Sequence, residues 1–107
     1  MWRTGFNWPL TGMPGNLWVF EMPTICTFYG IFIRKYWDDH APPHFHVDYG
    51  EYRAQYGIET LELLKGSLPR RAHALILEWA TMHRTGLMED WRLCEMKQHP
   101  NKISPLV

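Results

Sequence analysis

Residues His44 to Tyr56 read HFHVDYGEYRAQY, and the spacing within them decides how the chain folds. Successive side chains of a strand point to opposite faces. Phe45, Val47 and Tyr49 therefore fall on one side, and His44, His46 and Asp48 on the other. Gly50-Glu51 has the length of a two-residue hairpin turn, with Gly50 supplying the positive φ of a type II′ turn. A register follows: Tyr49 opposite Tyr52, Asp48 opposite Arg53, Val47 opposite Ala54, His46 opposite Gln55. Cross-strand partners share a face. One face is aromatic and apolar and suits a core. The other displays His44, His46, Asp48, Arg53 and Gln55, the polar outer face that antiparallel sheets commonly carry.

Upstream, Pro42-Pro43 fix two φ angles and hold Ala41 extended, so the chain enters this strand stiffly. Before that, TICTFYGIFIRKYW (Thr24 to Trp37) is β-branched and aromatic and reads as one strand bent at Gly30, ended by Asp38-Asp39. Downstream the period lengthens. Ser67 suits an N-cap, Pro69 a first turn and Gly86 a C-terminal stop. Ala72, Leu75, Ile76, Trp79 and His83 form one helical stripe, and Leu87, Trp91 and Cys94 begin a second. The sequence thus predicts an α+β domain: an antiparallel sheet of about three strands over 24–58, then helices near 68–85 and 87–97 on one face.

The chain has 107 residues, the size of one domain, with Lys+Arg and Asp+Glu balanced at 11 each. A generic nucleic-acid binder is basic, so any polyanion contact must be a local patch. Two cysteines, Cys26 and Cys94, make neither a disulfide framework nor a C-x-x-C zinc motif, which points to a reduced, cytoplasmic protein with both thiols in the core. The first 21 residues hold three of the six Trp without strand or helix periodicity. They read as an extension outside a domain spanning 22–107, or as an arm whose Trp side chains pack on a surface.

Half of the six histidines, His40, His44 and His46, lie within seven residues. Three chemistries fit them. With Asp48 they could hold a transition metal such as zinc, since three nitrogen ligands and an open position make a catalytic metal site. Without metal, His44 and His46 could act as base and acid on a phosphodiester, with Arg53 or Arg34 stabilising the charged transition state. Or they pack as part of a structural or partner-binding surface. Lys65, Arg70 and Arg71 surround an expected helix N-terminus. Cations there oppose the helix dipole, and a bound phosphate would relieve the conflict.

The opening MPTI, the FYGI strand, DHAPPHFH, the G-S-L-P-R-R helix start and a closing E-x-W together resemble a bacterial family of unknown function, family 4160. The resemblance runs from Met22 to Trp91 and leaves out residues 1–21. It implies one half of a small two-gene, toxin–antitoxin-like unit, with a partner protein encoded by the adjacent gene. It marks His40, His44, His46, Arg70 and Arg71 as signature residues without assigning them roles. Since small intracellular toxins most often attack RNA, it raises RNA as a target; the residue pattern then suggests ribonuclease chemistry by His44 and His46, with Lys65, Arg70, Arg71 and Arg34 holding substrate. The alternative is a non-enzymatic metal- or partner-binding module.

Overall fold

A computed structural model describes residues 23–35 and 40–107. The expectations for residues 1–21, and for the strand end at Asp38-Asp39, lie outside the described residues. Five strands come first: β1 (Thr24–Phe28), β2 (Ile31–Arg34), β3 (His44–Tyr49), β4 (Tyr52–Gly57) and β5 (Leu63–Gly66). They form one antiparallel sheet in sequence order. Two helices follow, α1 (Arg70–Met82) and α2 (Arg84–Glu95). The fold is α+β as the periodicities require, with more strands than the three expected.

The central hairpin keeps the register read from the sequence: Tyr49 pairs with Tyr52, Asp48 with Arg53, Val47 with Ala54 and His46 with Gln55. Gly50 supplies the positive φ, at 59°. The first extra strand arises where one bent strand was expected. Tyr29 and Gly30 take φ 48° and 81°, two consecutive positive values that make a tight reversal between β1 and β2. The second, β5, carries no alternation of its own and pairs only with β4.

The core lies on the Phe45 face. Ile31, Ile33, Phe45, Val47, Ala54 and Tyr56 are fully buried, and α1 lays Ala72, Ile76, Trp79 and Ala80 against them. Trp79 meets Phe28 at 5.8 Å and Phe45 at 6.0 Å. Cys26 and Cys94 are buried, and neither is joined in a disulfide. The helix limits differ from expectation. Pro69, not Ser67, precedes α1 and gives no side-chain cap, while Gly86 lies inside α2 and His83 marks the break between the helices.

The two edges of the sheet are treated differently. The C-terminal segment covers β1: the Ile103 N–H donates to the Ile25 carbonyl at 2.9 Å, and Trp79 Nε1–H donates to the Ser104 carbonyl at 2.8 Å. All four residues of β5 are exposed. Gly66 fixes how closely β5 approaches β4. At φ 78°, a Cβ on this residue would sit 2.0 Å from the Arg53 carbonyl oxygen. Gly66→Ala is expected to destabilise the domain by about 2–4 kcal/mol, through the left-handed φ and the clash together. A urea midpoint equal to that of the parent would contradict this.

Candidate functional site

Hairpin pairing carries one polar row across all five strands. Thr24 pairs with Arg34, Arg34 with His46, His46 with Gln55, and Gln55 with Lys65. Partners share a face, so a hydroxyl, a guanidinium, an imidazole, an amide and an ammonium stand in line. Phe32, Asp48 and Arg53 form the next row, since Phe32 pairs with Asp48 and Asp48 with Arg53.

Charge pairing stiffens this face. Arg34 Nε donates to Asp48 Oδ2 at 2.9 Å, and its Nη1 donates to Thr24 Oγ1 at 2.8 Å. The Arg34 guanidinium also lies 5.4 Å from the centre of the Phe32 ring. Arg53 Nε stands 3.9 Å from the other Asp48 oxygen, with its side chain 55% exposed. Arg34 is therefore committed to Asp48 and Thr24, whereas the side chains of Arg53, also beside Asp48, and Lys65 reach the surface.

The two imidazoles are adjacent, with ring centres 5.0 Å apart. Both are buried, His44 at 7% exposure and His46 at 2%, where an exposed outer face was expected. Part of the reason is α2, whose Trp91 ring lies 5.4 Å from His44. Arg34 and Gln55 flank His46 on the neighbouring strands. His44 Nδ1 lies 2.7 Å from the Pro42 carbonyl, at the end of a cis Ala41–Pro42 bond. A carbonyl oxygen only accepts, so Nδ1 carries the proton and Nε2 is the basic nitrogen of the neutral ring.

His40 is exposed and lies outside the strands that build the polar row. Among the described residues, no three His, Cys, Asp or Glu side chains come together as a metal-holding set. Asp48, the fourth ligand expected from the sequence, gives its oxygens to Arg34 and Arg53. The Lys65, Arg70 and Arg71 cluster divides: Lys65 joins the sheet row, while Arg70 and Arg71 open α1.

The residue types drew attention to neither Lys35 nor Asp90, yet both are buried, at 0% and 1% exposure. The Lys35 ammonium lies 4.1 Å from the centre of the Trp91 ring. Asp90 Oδ1 accepts the Asn101 N–H at 2.8 Å, and Oδ2 has no hydrogen-bond partner among the described residues. Burial pushes the Asp90 carboxyl up to about 6; Glu89 adds to the rise, while the Asn101 N–H, Lys35 and His99 oppose it. The signal for both was positional. Lys35 continues the core phase of Ile31 and Ile33, and Asp90 falls on the Leu87, Trp91, Cys94 stripe. On the core face, the Tyr56 hydroxyl lies 2.7 Å from His73 Nδ1, and burial lifts it to about 12, so it stays protonated at neutral pH.

The family model described as Domain of unknown function (DUF4160) matches residues 30–92. The chain belongs to this family. The match runs from the first hairpin turn to Arg92 and so includes the whole polar row except Thr24, all of α1 and most of α2. Comparison with curated proteins found no match, and comparison with solved structures found none. No helix among the described residues of this DUF4160 chain is long and apolar enough to cross a membrane.

Proposed function

We propose that this DUF4160 chain is the toxin-like member of a two-protein unit in the cytoplasm, and that it holds RNA on the polar face of its sheet. The observation that carries the reading is the continuous row from Thr24 to Lys65, with Arg53 beside it. Among the described residues, Arg34, Arg53 and Lys65 stand there with Asp48 between the two arginines, on a chain whose total charge is zero. Phe32, 41% exposed, adds a ring on which a base can stack. Cations that track a phosphate backbone beside an aromatic platform are the working parts of single-strand binding surfaces. The two-protein unit follows from the family resemblance, with the adjacent-gene product as partner.

A second reading, RNA cleavage, has its own support. His44 and His46 are adjacent, and Pro42 leaves His44 Nε2 as the basic nitrogen. His44 would take the 2′-hydroxyl proton and His46 would protonate the leaving oxygen, while Arg53 stabilises the charge. General acid–base transfer needs the reacting oxygen within about 3 Å of a ring nitrogen. The burial of both rings leaves binding as the function this geometry supports best.

Fluorescence anisotropy with a short single-stranded RNA tests the first reading. The Arg53→Ala/Lys65→Ala double variant should bind about tenfold more weakly at low salt. Unchanged affinity would sink it. Incubating the same RNA with the parent and with His44→Ala tests the second: a cut made by the parent and missing in the variant establishes cleavage, and uncut RNA with both leaves a binding protein.

A further inference from the structure

The turn joining β1 and β2 holds a side chain that its backbone does not favour. Tyr29 takes φ 48°, the first position of a two-residue turn where Asn, Asp or Gly sit most easily. Nor is it recruited by the core: it is 61% exposed, with an edge-on contact to Phe28 at 6.0 Å. A strained, exposed aromatic is a cost without a return in folding.

What Tyr29 does is wall a cleft of about 210 Å³, together with Tyr49, Arg71 and the apolar floor of Ile31, Ala72 and Leu75. Arg71 makes no ion pair among the described residues, and the first turn of α1 has no acidic residue to neutralise it. The cleft thus offers two phenol rings, an apolar base and one unneutralised guanidinium. Phenol rings stack flat π-systems, and a guanidinium pairs with phosphate through two parallel hydrogen bonds. The volume lies below the ~300 Å³ at which whole drug-sized ligands are enclosed, so the cleft suits a small ligand that carries one flat base and one anionic group.

We propose that the Tyr29–Tyr49–Arg71 cleft binds a nucleoside monophosphate unit, free or as the 5′-phosphorylated end of an RNA, with its base against the tyrosines and its phosphate on Arg71. None of these residues belongs to the polar row, so this inference stands or falls apart from the sheet-face reading.

The test is an NMR titration of the full chain with AMP, adenosine and inorganic phosphate, on the parent, Arg71→Gln and Tyr29→Asn. AMP should bind at least about tenfold more tightly than adenosine or phosphate alone, and Arg71→Gln should erase the preference over adenosine. Tyr29→Asn should weaken AMP binding while raising the Tm, because it removes the ring and relieves the turn. No saturable shift at about 1 mM AMP, or equal AMP affinity in all three proteins, would overturn the proposal. So would a Tyr29→Asn protein of lower Tm and unchanged affinity, which makes the ring structural. Once AMP binds, a 5′-phosphorylated oligonucleotide that displaces it, where its 5′-hydroxyl counterpart does not, assigns the cleft to an RNA end. Failure of both to displace it assigns the cleft to the free nucleotide.

Discussion

Replacing Trp79 by alanine is expected to lower the unfolding free energy by about 3–5 kcal/mol. That is a large share of the ~5–15 kcal/mol by which single domains are stable. The indole is fully buried and packs on Phe28 from β1, Phe45 from β3 and His83 at the helix break. Its N–H also ties down the C-terminal segment through Ser104. The substitution therefore opens a cavity between α1 and the sheet and releases the segment covering β1. Trp79→Phe separates the two effects, since it keeps most of the apolar volume and gives up only a hydrogen bond of about 1 kcal/mol. Urea unfolding of both variants checks the ordering; a Trp79→Ala loss no larger than that of Trp79→Phe would show that the indole is not the centre of the core.

The second large effect is a pH dependence opposite to the usual acid destabilisation. Burial holds the Asp90 carboxyl up at about 6 in the folded chain, against an ordinary value of 3.8. Between those values the folded chain keeps a proton that the unfolded chain has lost. Stability from this group is therefore fully present below about pH 4 and is lost as pH rises through about 6, with a total near 3 kcal/mol at ~1.4 kcal/mol per unit. The parent should be more resistant to urea at pH 5 than at pH 7. Asp90→Asn should flatten that slope. Its absolute stability is a poorer readout, because the substitution also removes a carboxylate near the buried Lys35. A slope unchanged by Asp90→Asn would place the titration elsewhere.

Both effects rest on features the sequence discloses unequally. The β3–β4 hairpin was legible down to its register, because a period of two bounded by Gly50 leaves one pairing that keeps the tyrosines together. The helices were legible as apolar stripes, but their ends were not: Pro69 starts α1 without a side-chain cap, and His83 rather than Gly86 breaks the run. The β1–β2 reversal was hidden by Tyr29, an aromatic in a backbone state where turn signals are Gly and Asn. β5 was hidden because four exposed residues carry no alternation.

The site shows the same division. Strand phase put His44, His46, Asp48 and Arg53 on one face, and the pairing adds Arg34 and Lys65 to it. Burial of His44 owes part to Trp91 of α2, more than forty residues downstream, and no local pattern carries such a contact. Lys35 and Asp90 were visible as polar residues in apolar phase. What they face is a tertiary fact.

The most direct test of the sheet-face account is the salt dependence of RNA affinity for the parent and for Lys65→Ala. Removing one phosphate-contacting cation should lower the slope of log K against log salt by about 1 and weaken binding at every RNA sequence alike. Identical slopes and affinities would mean that the row ending at Lys65 does not carry RNA.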